Sequence, residues 1–178
     1  MKFTLFRLGR IFLIILSLTF INEAQSQEKI LDQKRIDASK HIAIVDDLLN
    51  GFNTGANATI QLFHEDAIIE YPYAYSLGTA SKLNKKEYET YLENALSNMP
   101  NMEFNNVKVY TVDKNIFWAE FHGEFTVPTT KKRFKSDYVV RIILKKGKIL
   151  NLKEYWNPLA ASAFSEEKDV KDIFKKDK

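Results

Sequence analysis

The chain has 178 residues, a formal net charge of +3 and no cysteine. That length suffices for one domain with a real core, and so small a charge gives no argument for a nucleic-acid partner. Without cysteine, disulfides and thiolate-ligated zinc are excluded.

The first 26 residues read as a secretory signal peptide. Lys2, Arg7 and Arg10 make a positive start, Ile11 to Ile21 is an apolar and small-polar run of 11 residues, and Ala24-Gln25-Ser26 supplies small residues for cleavage. The run is short for a bilayer span. The reading is a secreted or periplasmic protein starting at Gln27, with no stable membrane anchor after cleavage; the alternative is an uncleaved anchor. Loss of Lys2, Arg7, Arg10 and Glu23 takes the net charge from +3 to about +1. Residues 27–164 then form the domain, and 165–178 a charged tail in which Val170, Ile173 and Phe174 make one helical stripe.

Apolar spacing through Ile36, Ile42, Val45, Leu48, Leu49 and Phe52 predicts a long helix over Glu28–Phe52, stopped by the Gly51 and Gly55 region. A short helix over 57–63, the polar break His64-Glu65-Asp66 and a strand over 67–71 should follow, with Pro72 ending the ladder. In this reading His64 is a helix-end histidine favoured by the dipole. Residues 76–84 read as connector. Asn84 with Glu87 forms a capping-box pattern ahead of a helix over 85–98, with Tyr88, Tyr91, Leu92, Ala95 and Leu96 on one side. Beyond Pro100 the period becomes two, which predicts strands over 102–112, 116–127, 134–144 and 149–157, then a short helix over 159–164. Lys145-Lys146-Gly147-Lys148 reads as a hairpin turn. Helices followed by a run of antiparallel strands give an α+β domain.

The last strand holds the most informative position. Alternation puts Leu150, Leu152, Glu154 and Trp156 on one face, and Ile149, Asn151, Lys153 and Tyr155 on the other. A carboxyl among leucines and a tryptophan resists ionisation and becomes a proton carrier near neutral pH. The alternatives are a basic partner elsewhere in the chain or a strand end that reaches water.

The segments FNTGANATIQLFHEDAIIEYP (52–72), FWAEFHGEF (117–125) and KEYWNP (153–158) resemble the SnoaL-like branch of the nuclear transport factor 2-like (NTF2-like, cystatin-like) superfamily, and within it the phenazine-biosynthesis A/B proteins. The resemblance implies a cone-shaped curved antiparallel sheet packed on N-terminal helices, with an apolar pocket at the open end and a homodimer through the outer sheet face. The reading includes no cofactor and no metal. The resemblance puts Glu154 on the glutamate that serves those proteins as acid/base residue. They also use a histidine after the first strand, and residues 71–82 here contain none.

On this basis Glu154 is the candidate catalytic residue. Tyr71, Tyr73, Phe117, Phe121, Tyr138, Trp156 and Asn157 are the candidates for binding a small cyclic or carbonyl-containing molecule. Each has a plainer reading. Phe117 and Phe121 can be ordinary core, Tyr138 a buried ring with a wet hydroxyl, and the Tyr71-Tyr73-Tyr75 group a cap on the core. Gly123 would let its strand bend or bulge. Asn157 would hold Glu154 or touch the ligand. Trp118, Glu120 and His122 share the opposite strand face and suit a subunit interface; a metal held by His122 with Glu120 or Glu124 is the alternative. The function expected is acid/base isomerisation, cyclisation or dehydration, or else ligand binding or dimerisation without catalysis.

Overall fold

The computed structural model describes residues 3–165. The chain divides into two compact units, Met1–Asp37 and Ala38–Lys178. The first is helical: it carries the start of α1 (Phe3–Thr54), where Gln33 Nε2 donates to Asp37 Oδ1 at 2.9 Å. The helix thus begins well before the expected Glu28. The proposed tail stripe of Val170, Ile173 and Phe174 lies outside the described residues.

In the second unit, the end of α1 leads to α2 (Ala56–Ile60), β1 (Phe63–Glu70), a 3-10 turn (Ala74–Leu77), β2 (Lys82–Asn84) and α3 (Lys85–Leu96). Then come β3 (Glu103–Asp113), β4 (Ile116–Thr126), β5 (Arg133–Lys145), β6 (Lys148–Trp156) and a closing 3-10 helix (Pro158–Phe164). The six strands form one curved, unclosed sheet in the order β2-β1-β6-β5-β4-β3, with helices packed on it. The class is α+β, as expected. The sheet is mixed rather than antiparallel, because β1 runs parallel to β6. Parallel neighbours need a long crossover, and the whole stretch from Tyr71 to Gly147 supplies it.

Local chemistry explains most elements. Asn84 accepts from the Glu87 N–H at 3.0 Å while Glu87 accepts from the Asn84 N–H at 2.8 Å, so the capping box starts α3 where the sequence places it. Lys146 (φ 52) and Gly147 (φ 75) both take the left-handed conformation that a tight two-residue hairpin requires. The buried stripe of α1 uses Val45, Leu48 and Leu49, joined by His41, while Ile36 and Ile42 are exposed. His41 is fully buried: its ring stacks on Phe117 at 4.2 Å and its Nδ1 lies 2.9 Å from Thr111 Oγ1.

Three local expectations change. β1 begins at Phe63, so His64 is a buried strand residue whose Nδ1 accepts from the Asp66 N–H at 3.1 Å, and not a helix end. Gly123 makes no bulge against β5, since the β4–β5 register runs unbroken through Gly123↔Ser136. A side chain there would meet the rings of Tyr138 at 3.1 Å and Phe104 at 3.2 Å, so glycine serves close ring packing. In β6 the register slips between Leu144↔Ile149 and Ile143↔Asn151, which leaves Leu150 as an extra, bulged residue. Ile149 is therefore fully buried and takes the inward place that alternation assigns to Leu150.

Candidate functional site

The bulge ends before Leu152, so the alternation beyond it holds and Glu154 and Trp156 face inward. Tyr138 sits directly across from Trp156, and Phe121 across from Tyr138, with the last two rings stacked at 5.0 Å. Over this part of the sheet α3 lays Tyr88, Tyr91, Leu92 and Leu96, one to two helical turns apart on one face. The cavity has a volume of about 100 Å³. Phe52, Met99, Met102 and Phe104 close one side and Phe134 and Phe164 another. Glu154 is the only lining residue with an ionisable carboxyl, and no basic side chain lines the cavity among the described residues.

Glu154 has no hydrogen-bond or ion-pair partner among the described residues. Burial alone pushes its carboxyl from an ordinary 4.5 up to about 7. Four tyrosines feel its charge. Burial first, and Glu154 second, raises Tyr91 to about 12 and holds Tyr138 and Tyr88 far above the phenol range; Tyr71 is raised likewise, mainly by burial. Tyr91 is 42% exposed, yet it lines the cavity. The arrangement is one carboxyl that takes or gives a proton near pH 7, beside phenols that stay neutral hydrogen-bond donors.

The structure brings together Glu154, Phe121, Tyr138 and Trp156. Tyr71 stands just behind them, buried, its ring 5.7 Å from that of Tyr91. The other three binding candidates lie elsewhere. Phe117 is fully buried against His41, and four residues before Phe121 is about 13 Å along a strand. Tyr73 is 45% exposed and meets Tyr155 edge-on at 5.9 Å; Tyr155 alternates with Glu154, so this contact is on the other face. Asn157 accepts from the Leu159 N–H at 3.0 Å and caps the closing 3-10 helix, leaving Glu154 without its help.

Trp118, Glu120 and His122 lie on the outer face. Trp118 stacks over Tyr155 at 6.5 Å, Glu120 accepts from Tyr110 Oη at 2.8 Å and Lys108 Nζ at 3.1 Å, and His122 Nδ1 is 2.7 Å from Asp137. Among the described residues no three His, Asp or Glu side chains converge as metal ligands. Tyr88 and Tyr91 are the site residues that the candidate set omits. The signal was there: phenols at i and i+3 on the inward side of a helix put polar tips where aliphatic residues would serve packing alone.

The SnoaL-like domain family matches residues 45–152. The chain belongs to this family. The SnoaL-like match begins within α1 and stops two residues short of Glu154. An uncharacterised PhzA/B-like protein of Pseudomonas aeruginosa is 27% identical over 108 residues, which cover 60% of this chain and 76% of that protein. A phenazine biosynthesis-related protein of the same organism has a solved structure with a TM-score of 0.59 and 22% identity, covering 75% of this chain and 88% of the other. A Bacillus subtilis structure assigned provisionally as an isomerase gives a TM-score of 0.66 at 23% identity, over 75% and 98% of the two chains. At such identities the structures establish a shared NTF2-like fold.

Proposed function

We propose that this SnoaL-like protein binds a small cyclic or carbonyl-containing molecule in the cavity above β4, β5 and β6, and that Glu154 moves a proton on it in an isomerisation, cyclisation or dehydration. One observation carries the reading: the half-buried Glu154, with no hydrogen-bond or ion-pair partner among the described residues, faces a cavity walled by nine aromatic rings. A side chain of that kind is costly to keep without a use. The provisional isomerase and the phenazine biosynthesis-related structure are consistent with small-molecule chemistry on this fold. Tyr138 and Tyr91 would hold a substrate oxygen while Glu154 exchanges the proton.

The second reading is a binding or dimerisation module without catalysis. It is favoured by the lack of a histidine between Tyr71 and Lys82, where the phenazine proteins carry one. A screen of cyclic ketones and enones against the wild type and Glu154→Gln separates the two. Turnover lost by at least a hundredfold in the variant, with binding kept, supports catalysis. Binding that is equal in both proteins without turnover in either supports the module.

We further propose export after cleavage near Ser26, and a homodimer through the outer face. Trp118, Glu120 and His122 lie there beside exposed Tyr110 and Val139. Sedimentation of the mature protein as a monomer at micromolar concentration would refute the dimer.

A further inference from the structure

A larger groove of about 480 Å³ adjoins the cavity and shares Phe52, Leu92, Leu96 and Met99 with it. An inner space of about 100 Å³ suits a compact molecule or one part of a larger one. The groove lies where two helices end: Thr54 closes α1 and Ser97 follows α3, and Glu93 joins them in its wall. Neither last turn contains a basic residue, and hydrogen bonds satisfy several of the end carbonyls: Gly51 accepts from the Gly55 N–H, Ala95 from the Asn98 N–H and Leu96 from the Met99 N–H. Asn53 pins this rim by exchanging two hydrogen bonds with Met102, at 2.8 and 2.9 Å. Among the described residues lining the cavity Glu154 is the only charged group, and the walls are mostly aromatic faces. Cations are held by such faces through the ring quadrupole, more strongly when water is excluded. An anion would meet the Glu93 and Glu154 carboxylates along this path.

We propose that the ligand of this cavity is an organic cation: a compact apolar body carrying a positively charged nitrogen that rests among the aromatic rings against the Glu154 carboxylate. The proposal rests on the reading of the cavity as the ligand site, and it names the class of molecule recognised there. Beside such a cation Glu154 is held ionised, as a base rather than an acid. The other titratable groups facing it are phenols: Tyr88 and Tyr91 from α3, Tyr138 from β5 and Tyr71 behind them. All are raised by burial and stay neutral near pH 7.

Three molecules of one shape test this: choline, its neutral carbon isostere 3,3-dimethylbutan-1-ol, and the anion 3,3-dimethylbutanoate. Two of the chain's three methionines, Met99 and Met102, line the cavity, so methyl-labelled methionine gives local NMR reporters of binding in the full-length protein. At pH 8 choline should bind at least tenfold more tightly than the alcohol, and the carboxylate most weakly. Choline carries a fixed charge, so its affinity should follow ionisation of Glu154 and rise about tenfold from pH 6 to pH 8. The alcohol should not gain over that range. In Glu154→Gln, choline should lose its pH dependence and most of its advantage over the alcohol, keeping only what the aromatic faces supply.

If the wild type binds the alcohol as tightly as choline at pH 8, or the carboxylate more tightly than either, the cation proposal is wrong and the cavity remains a ligand site. If none of the three moves the Met99 or Met102 signals at millimolar concentration, the cation proposal falls, and the ligand reading falls with it only if the cyclic ketones and enones leave those signals unmoved as well. The comparison within the wild type decides the matter even if Glu154→Gln folds poorly.

Discussion

Glu124 and Glu154 are the same residue type on strands of the same sheet, and the fold drives them apart. Glu124, on the outer face, lies 3.2 Å from Arg133 Nη2 and 3.0 Å from Lys135 Nζ. Hydrogen bonds from Arg133 first and Lys135 second pull its carboxyl down to about 2. Glu154 has no partner, and burial pushes it up to about 7. The outer face pairs its charges: Glu120 with Tyr110 and Lys108, His122 with Asp137, Arg141 with Glu70. The inner face leaves one charge unpaired inside its aromatic lining. Stability explains the first arrangement. The second opposes stability above neutral pH, and a ligand gives it a reason.

The two faces should also differ in what they contribute to folding. Phe117→Ala removes a fully buried ring stacked on His41 and should destabilise by about 3–5 kcal/mol in chemical denaturation. Tyr110→Ala on the outer face, where the ring is 47% exposed, should stay within about 1 kcal/mol. Equal losses would mean that the outer face is covered in solution.

Next in size is the effect of pH at Glu154. A carboxyl raised in the folded state binds more protons there than in the unfolded chain. Its contribution is fully present below about 4.5 and is lost as pH rises through about 7. The protein should therefore lose on the order of 3 kcal/mol over that window from this group. Glu154→Gln should remove the loss, making the variant more stable than wild type at pH 8 but not at pH 4. Parallel stability profiles for the two proteins would contradict this.

Two smaller effects complete the series. Asn84→Ala breaks the cap of the helix that carries Tyr88 and Tyr91 over the cavity, and should lower stability by about 1 kcal/mol. Glu124→Gln should have the smallest effect. Its carboxyl is depressed, so its contribution is present above about 4.5 and disappears as pH falls toward about 2. Being at the surface, it should also vanish in 1 M salt, whereas the Glu154 effect should persist.

Much of this was legible in the sequence, and the exceptions have a common cause. Strand alternation placed Phe121, Tyr138, Glu154 and Trp156 on inward faces, and the capping box located the start of α3, because both signals are local. The bulge at Leu150 is set by a partner strand and leaves no mark in the period of β6, so Ile149 and Leu150 exchanged faces. The parallel pairing of β1 with β6 is likewise a property of the sheet and not of either segment. Tyr73 and Asn157 are neighbours of site residues in the chain, but the fold turns one to the outer face and uses the other as a cap. The remaining cavity walls, Met99, Met102, Phe104 and Phe164, come from segments that meet only in the folded domain.

The central claim is that the half-buried Glu154 carboxyl faces the cavity without a partner among the described residues. Carbon-detected NMR of carboxyl-labelled glutamate, with the Glu154 signal assigned by its loss in Glu154→Gln, tests it most directly. Titration of that signal with a midpoint near 7 is the result this account predicts. A midpoint near the ordinary 4.5 would place the carboxyl in water or beside a partner, and would contradict it.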